Sequence, residues 1–203
     1  MRRLGLCCAV LAAACMLGGA TAPAQAPESV YTELLKGRCK FISIDKETNE
    51  EQVKRCPGHG GAQVLTRASH TIVYLSFRWS KSRMAEDVVS GWSLGDKVEW
   101  RGARTRNGFE PYATIVRVIV KDPDTLVGGG HVLAVMRIDK RDACLAAAVD
   151  VSANKEANAL AREAADTVAR TFACGKDKPR VSGAATKSTE AVIGVDGSEE
   201  SRR

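Results

Sequence analysis

From 71 to 79 (TIVYLSFRW) apolar side chains recur at every second position, with Val73, Leu75, Phe77 and Trp79 on one side. That period belongs to a β-strand with one buried face. Residues 97–101 (KVEWR) repeat it with Val98 and Trp100, and 112–120 (YATIVRVIV) are dense in the β-branched residues that suit a sheet. Gly128-Gly129-Gly130 interrupts the pattern before another strand at 131–138, and 145–151 reads as a weaker one because of its alanines. Upstream, 39–45 and 52–56 flank the polar stretch 46–51 and read as a hairpin. If Cys39 faces Cys56, then Phe41 faces Lys54 and Ile42 faces Val53, which places Ile42, Ile44 and Val53 on one face.

The period changes near residue 153. Ala157, Leu160, Ala161, Ala164, Val168 and Phe172 fall on one face of a helix running to about residue 173, with Ser152 or Asn154 as its cap and Gly175 as its stop. Its small-sided stripe lets it lie close to a sheet. From 176 onward the chain is polar with little periodicity and reads as a flexible tail. The expected class is α+β: a mainly antiparallel β-sheet, curled or barrel-like, with one C-terminal α-helix packed on it.

The first residues change the setting. Met1-Arg2-Arg3 precede an apolar run from Leu4 to Leu17 and an A-x-A pattern at Ala22-Pro23-Ala24, the layout of a signal peptide over 1–24. The run is shorter than the roughly 20 residues of a transmembrane helix. This predicts a single domain over 25–175, with 176–203 as its tail, in the periplasm or secreted. Cys7, Cys8 and Cys15 would leave with the signal, unless a lipid on Cys15 anchors the chain; the Leu usual three positions before a lipidated cysteine is absent. Cys39, Cys56, Cys144 and Cys174 would meet an oxidising compartment as an even set, so two disulfides are expected among three possible connectivities. A Cys39–Cys56 bond suits the hairpin. A Cys144–Cys174 bond would tie the far end of the helix to the sheet.

The formal charge of +6 is spread over mixed-sign segments, so no cationic face points to nucleic acid. Arg101, Arg104 and Arg106 form the nearest approach to a patch, readable as a surface for an anionic envelope component or as a solvated hairpin loop. Gly91-Trp92-Ser93-Leu94-Gly95 matches G-x-S-x-G, and with His59 or His131 it would make a small serine hydrolase using Ser93. That chemistry needs a sharp strand-to-helix turn, and a strand-like segment follows here instead. His59, His70 and His131 are dispersed, and there is no H-E-x-x-H or C-x-x-C, so no metal or cofactor is expected. The aromatic residues fill a core or line a groove for a glycan or peptide.

Two resemblances complete the reading. The segments 98–102 (VEWRG), 111–117 (PYATIVR), 131–135 (HVLAV), 149–151 (VDV) and 158–162 (NALAR) resemble uncharacterised small exported proteins of alphaproteobacteria, which implies one domain in a Gram-negative periplasm and brings no catalytic residues. The tail, 192–201 (VIGVDGSEES), resembles the opening strand and loop of a universal stress protein, but without the α/β domain that makes its nucleotide pocket. The leading expectation is a non-catalytic module that binds an envelope component or partner protein. The serine hydrolase and a purely structural envelope protein are the alternatives.

Overall fold

The computed structural model describes residues 26–34, 37–44, 51–79, 87–121, 129–140 and 142–194; the expected signal peptide and Cys15 lie outside the described residues. Strand β1 (Glu28–Glu33) comes first. Strands β2 (Lys40–Ile44), β3 (Glu51–Cys56), β4 (Ala62–Ser69), β5 (Ile72–Trp79) and β6 (Val89–Gly91) then form an antiparallel meander. Strands β7 (Ser93–Thr105), β8 (Gly108–Val120), β9 (Gly130–Ile138) and β10 (Ala143–Asp150) build a second sheet, completed by β1 on one edge and β11 (Arg180–Val181) on the other. Only β10–β11 is parallel.

The expected curled or barrel-like sheet is corrected to two open sheets that stack without closing. The chain crosses between them at Gly91-Trp92-Ser93, where the Trp92 N–H donates to the Ile119 carbonyl at 2.8 Å. Between the sheets Val64, Leu75 and Phe77 meet Val98, Trp100, Val116, Val118 and Met136. Trp100 is fully buried, lies edge-on to Phe77 at 5.9 Å and donates its Nε1–H to Thr32 Oγ1 at 2.8 Å. The alternate residues of the same strands, including Ala113, Ile115, Leu133 and Val135, form a second core against the helix. The six-stranded sheet is therefore buried on both faces, which explains why β10 reads ACLAAAVD and lacks alternation. A bulge between Leu145 and Ala147 turns both Ala146 and Ala147 to the helix side.

That helix is α1 (Ala157–Ala164), continued by a π-helical turn over Ala165–Ala169. Ala157, Ala161, Ala164 and Phe172 are buried as expected, but Ala165 and Ala169 occupy the deepest positions past the π turn, where Val168 is only partly buried. Neither expected side chain caps the helix. Ser152 Oγ donates to Asp150 Oδ1 at 2.6 Å, and Asn154 is bonded to Ala184 in the C-terminal segment instead. Gly175 stands at φ +74° beyond the helix, the left-handed conformation its position demands.

Both expected disulfides are present, Cys39–Cys56 and Cys144–Cys174. The hairpin register is half as expected: Phe41 faces Lys54, but a bulge opposes Ser43 to Val53 and leaves Ile42 exposed. The expected flexible tail requires a larger correction. Up to Gly194 it carries β11 and helix α2 (Lys187–Gly194), and Val192 and Thr189 are buried. The segment that resembles the opening of a universal stress protein is helical through Gly194, and 195–203 lie outside the described residues. Among the described residues no helix is long and apolar enough to cross a membrane.

Candidate functional site

At the end of the stacked sheets where β5 and β9 finish and β8 begins, the two layers part around a cleft of about 320 Å³. One wall is aromatic, from His59 in the β3–β4 turn, Trp79 at the end of β5 and Phe109 near the start of β8. His59 lies edge-on to Phe109 at 5.6 Å and to Trp100 at 6.1 Å, which ties this wall to the core. The lining also carries three cations, Arg137 and Lys140 at the end of β9 and Arg170 after the π turn. Phe109 reaches its place because Gly102 stands across from it. A Cβ on Gly102 would meet the Phe109 ring at 2.7 Å, so a larger residue there would displace the wall.

Tyr112 also lines the cleft, and the sequence puts it there through a proline. Gly102 pairs with Pro111 and Arg101 with Ala113, so Tyr112 is the extra residue of a β-bulge. Proline cannot donate to the ladder and is confined within sheets to edges, strand starts and bulges. The bulge turns the Tyr112 side chain to the helix side, where it packs beside Ala113. There the π turn clamps it. Asp166 Oδ1 accepts the Tyr112 hydroxyl hydrogen at 2.6 Å, and one turn later the Arg170 guanidinium lies 4.7 Å over the ring. Burial, together with the hydrogen bond that Tyr112 donates to the Asp166 carboxylate, pushes the phenol up to about 12.

Asp166 belongs to a charge network that docks the helix. It takes Arg101 in a fork, from Nε at 3.0 Å and Nη2 at 2.5 Å, while Arg162 Nε donates to Glu99 Oε1 at 2.6 Å. Glu99 and Arg101 lie on one face of β7, Arg162 and Asp166 one turn apart on the helix, so the two pairs match sign for sign. Ser29 joins them, donating to Glu99 Oε1 at 2.5 Å and accepting from Arg101 Nη1 at 2.8 Å. Hydrogen bonding to Glu99 holds Arg162 well above its ordinary value. Such pairs, with their lone pairs and protons satisfied, hold register and orientation more than they add net stability.

The acids at the cleft are already engaged. Asp139 Oδ2 pairs with Arg137 Nη2 at 3.1 Å, and Glu110 Oε1 lies 3.1 Å from Thr105 Oγ1 on the hairpin. Neither Lys140 nor Arg170 has a carboxylate within ion-pair distance among the described residues. The lining contains no serine, threonine or cysteine. Behind it, Arg137 Nη1 stands 4.0 Å from Cys174 Sγ, so the second disulfide backs the cationic lining.

Of the residues singled out from sequence, His59 and the aromatic Trp79, Phe109 and Tyr112 lie at the cleft, and the others fall elsewhere. Arg101 is buried under the helix and bound to Asp166, Arg104 pairs with Glu28 at 2.8 Å, and Arg106 lies exposed in the β7–β8 turn. The three do not form the expected loop patch, because Arg101 and Arg104 lie within β7 and alternate between its faces. Ser93 opens a 13-residue strand and does not stand on a strand-to-helix turn. Ser93 and His131 both pair with Ile119, which puts them two strands apart at about twice the 4.8 Å strand spacing. His59 lies at the cleft, and His70 is in the β4–β5 turn. Among the described residues no three His, Cys, Asp or Glu side chains converge as metal ligands. Comparison with family models, curated proteins and solved structures gives no match.

Proposed function

We propose that this chain is an exported, non-catalytic binding module that holds an envelope component, or a protruding group of a partner protein, in the cleft between its two sheets. The observation that carries this reading is the construction of the cleft. Separate segments of the chain bring aromatic rings and cations together around a volume in the range of small-ligand sites. The bulge at Tyr112, the charge network and a disulfide hold this lining in place. A lining without serine, threonine or cysteine supports binding over acyl transfer. Export is supported by the signal-like N-terminal residues and by two disulfides, which persist in oxidising compartments.

Two measurements test the proposal. Expressed in a Gram-negative host, the chain is expected in the periplasm with an N-terminus near Gln25 and both cysteine pairs oxidised; an uncleaved chain with free thiols in the cytoplasm would sink the export reading. For the site, a fragment screen followed by amide chemical shifts is expected to gather its hits around Gly60, Tyr112 and Arg137. Hits that gather elsewhere, or covalent labelling of Ser93 by a fluorophosphonate, would overturn it.

A further inference from the structure

Resting on the reading of the cleft as a ligand site, we infer that it selects a small anion carried on a flat apolar body, of which an aryl carboxylate is the simplest form. The lining holds three cations and two acids, and Asp139 is engaged by Arg137 while Glu110 turns to Thr105 on the hairpin. Lys140 and Arg170 therefore line the cleft with no carboxylate within ion-pair distance among the described residues, and against the charge of Glu110 the lining keeps one net positive charge. Both side chains are exposed, so they reach a ligand without the cost of being buried unpaired.

Arg170 is also held in place. Its guanidinium carbon lies 4.7 Å from the centre of the Tyr112 ring, and Tyr112 has its hydroxyl bound to Asp166, so the cation rests against an anchored aromatic side chain. A guanidinium presented this way suits a carboxylate or phosphate oxygen pair. Trp79, Phe109 and the His59 ring line the same cleft, with His59 edge-on to Phe109 at 5.6 Å, an aromatic lining that suits a ring. The volume of about 320 Å³ matches the low end of small-ligand pockets and admits one ring with a short charged arm.

The test uses the mature, oxidised protein and three probes: 3-phenylpropionate, the neutral 3-phenylpropan-1-ol, and acetate. Amide and indole chemical shifts report the place and strength of binding. 3-Phenylpropionate is expected to shift the Trp79 indole and the amides of Gly60, Tyr112 and Arg137 with a Kd on the order of 1 mM or tighter. The alcohol and acetate should each bind at least about tenfold more weakly, and Arg170→Gln combined with Lys140→Gln should bring the propionate down to the alcohol's affinity. The two replaced side chains are exposed, and a well-dispersed spectrum of the variant establishes that it folds. Equal affinity for alcohol and propionate, or an unaffected double variant, overturns the anionic class while leaving the cleft as a site for neutral ligands. If neither these probes nor any hit of the fragment screen shifts the cleft residues, the site itself is refuted together with this inference.

Discussion

Asp150 is fully buried at the end of β10, and its carboxylate is the most heavily bonded in the described structure. Oδ1 accepts from Ser152 N at 2.7 Å, Ser152 Oγ at 2.6 Å and Ala153 N at 2.8 Å, and Oδ2 accepts from the Thr186 hydroxyl. Burial alone would raise this carboxyl, but these hydrogen bonds outweigh it and hold the group below its ordinary value. A lowered pKa contributes stability that is complete above the unfolded value of about 3.9 and is lost as pH falls through the folded value. Urea midpoints measured from pH 6 down to pH 2 are therefore expected to drop more steeply for the native chain than for Asp150→Asn. Asp150→Ala, which removes four part-buried hydrogen bonds to a carboxylate, should cost about 1.5–3 kcal/mol at neutral pH. Tyr112 carries the opposite sign. Its phenol is raised to about 12, so its contribution is complete below the unfolded value near 10 and is lost as pH rises through 12. Absorbance at the phenolate band should show a late-titrating step that Tyr112→Phe removes, and a normal titration of all three tyrosines would refute the clamp.

At the scale of elements, the strands with one solvated face were the most legible, because alternation follows directly from the pleat. The cysteines were legible too, through compartment and parity. Strand β4 (AQVLTRAS) was missed because Leu65 is buried on the face opposite Val64, which erases its alternation. In β1 the residues around Val30 are Glu, Ser, Thr and Tyr, and what they bind is distant in sequence. The helix was placed correctly, but its inner face drifted because a π turn inserts an extra residue per turn. For the site, Pro111 inside a β-rich run was the available signal of a bulge, while Phe109, Arg137 and Arg170 meet only through tertiary pairing. The disulfides lend themselves to a quantitative check. Cys144 and Cys174 are 30 residues apart and Cys39 and Cys56 are 17 apart, so the chain-entropy model assigns them about 3–4 and about 3 kcal/mol. Replacing the first pair by serines should lower the urea midpoint by at least as much as replacing the second. It alone should broaden the amide signals of Arg137 and Arg170, since only that bond backs the cationic lining.

For the whole molecule, the C-terminal segment decides whether the fold is a sheet with a helix on it or a stacked pair of sheets closed at one side by a second helix. Its polar composition concealed an N-terminal capping pattern. Thr186 N donates to Thr189 Oγ1 at 2.9 Å while Ser188 N donates to Thr186 Oγ1 at 3.2 Å, the reciprocal bonding that starts α2. The same Thr186 binds Asp150, and Asn154 exchanges two hydrogen bonds with Ala184 at 2.9 Å, so the segment is stitched to the β10–α1 connection before the helix begins. Helix α2 then lays Val192 and Ile193 against the core between the sheets. Ending the chain after Asp177 removes these contacts together and leaves Asp150 without one of its donors. That truncation is expected to cost more than about 3 kcal/mol, by loss of buried apolar area and of a buried hydrogen-bond partner, and to raise binding of a hydrophobic dye. Ending it after Gly194 should leave the unfolding curve unchanged. If both truncated chains unfold like the full one, α2 is an appendage and the core is closed without it; if only the shorter one fails, the residues after 176 are part of the domain.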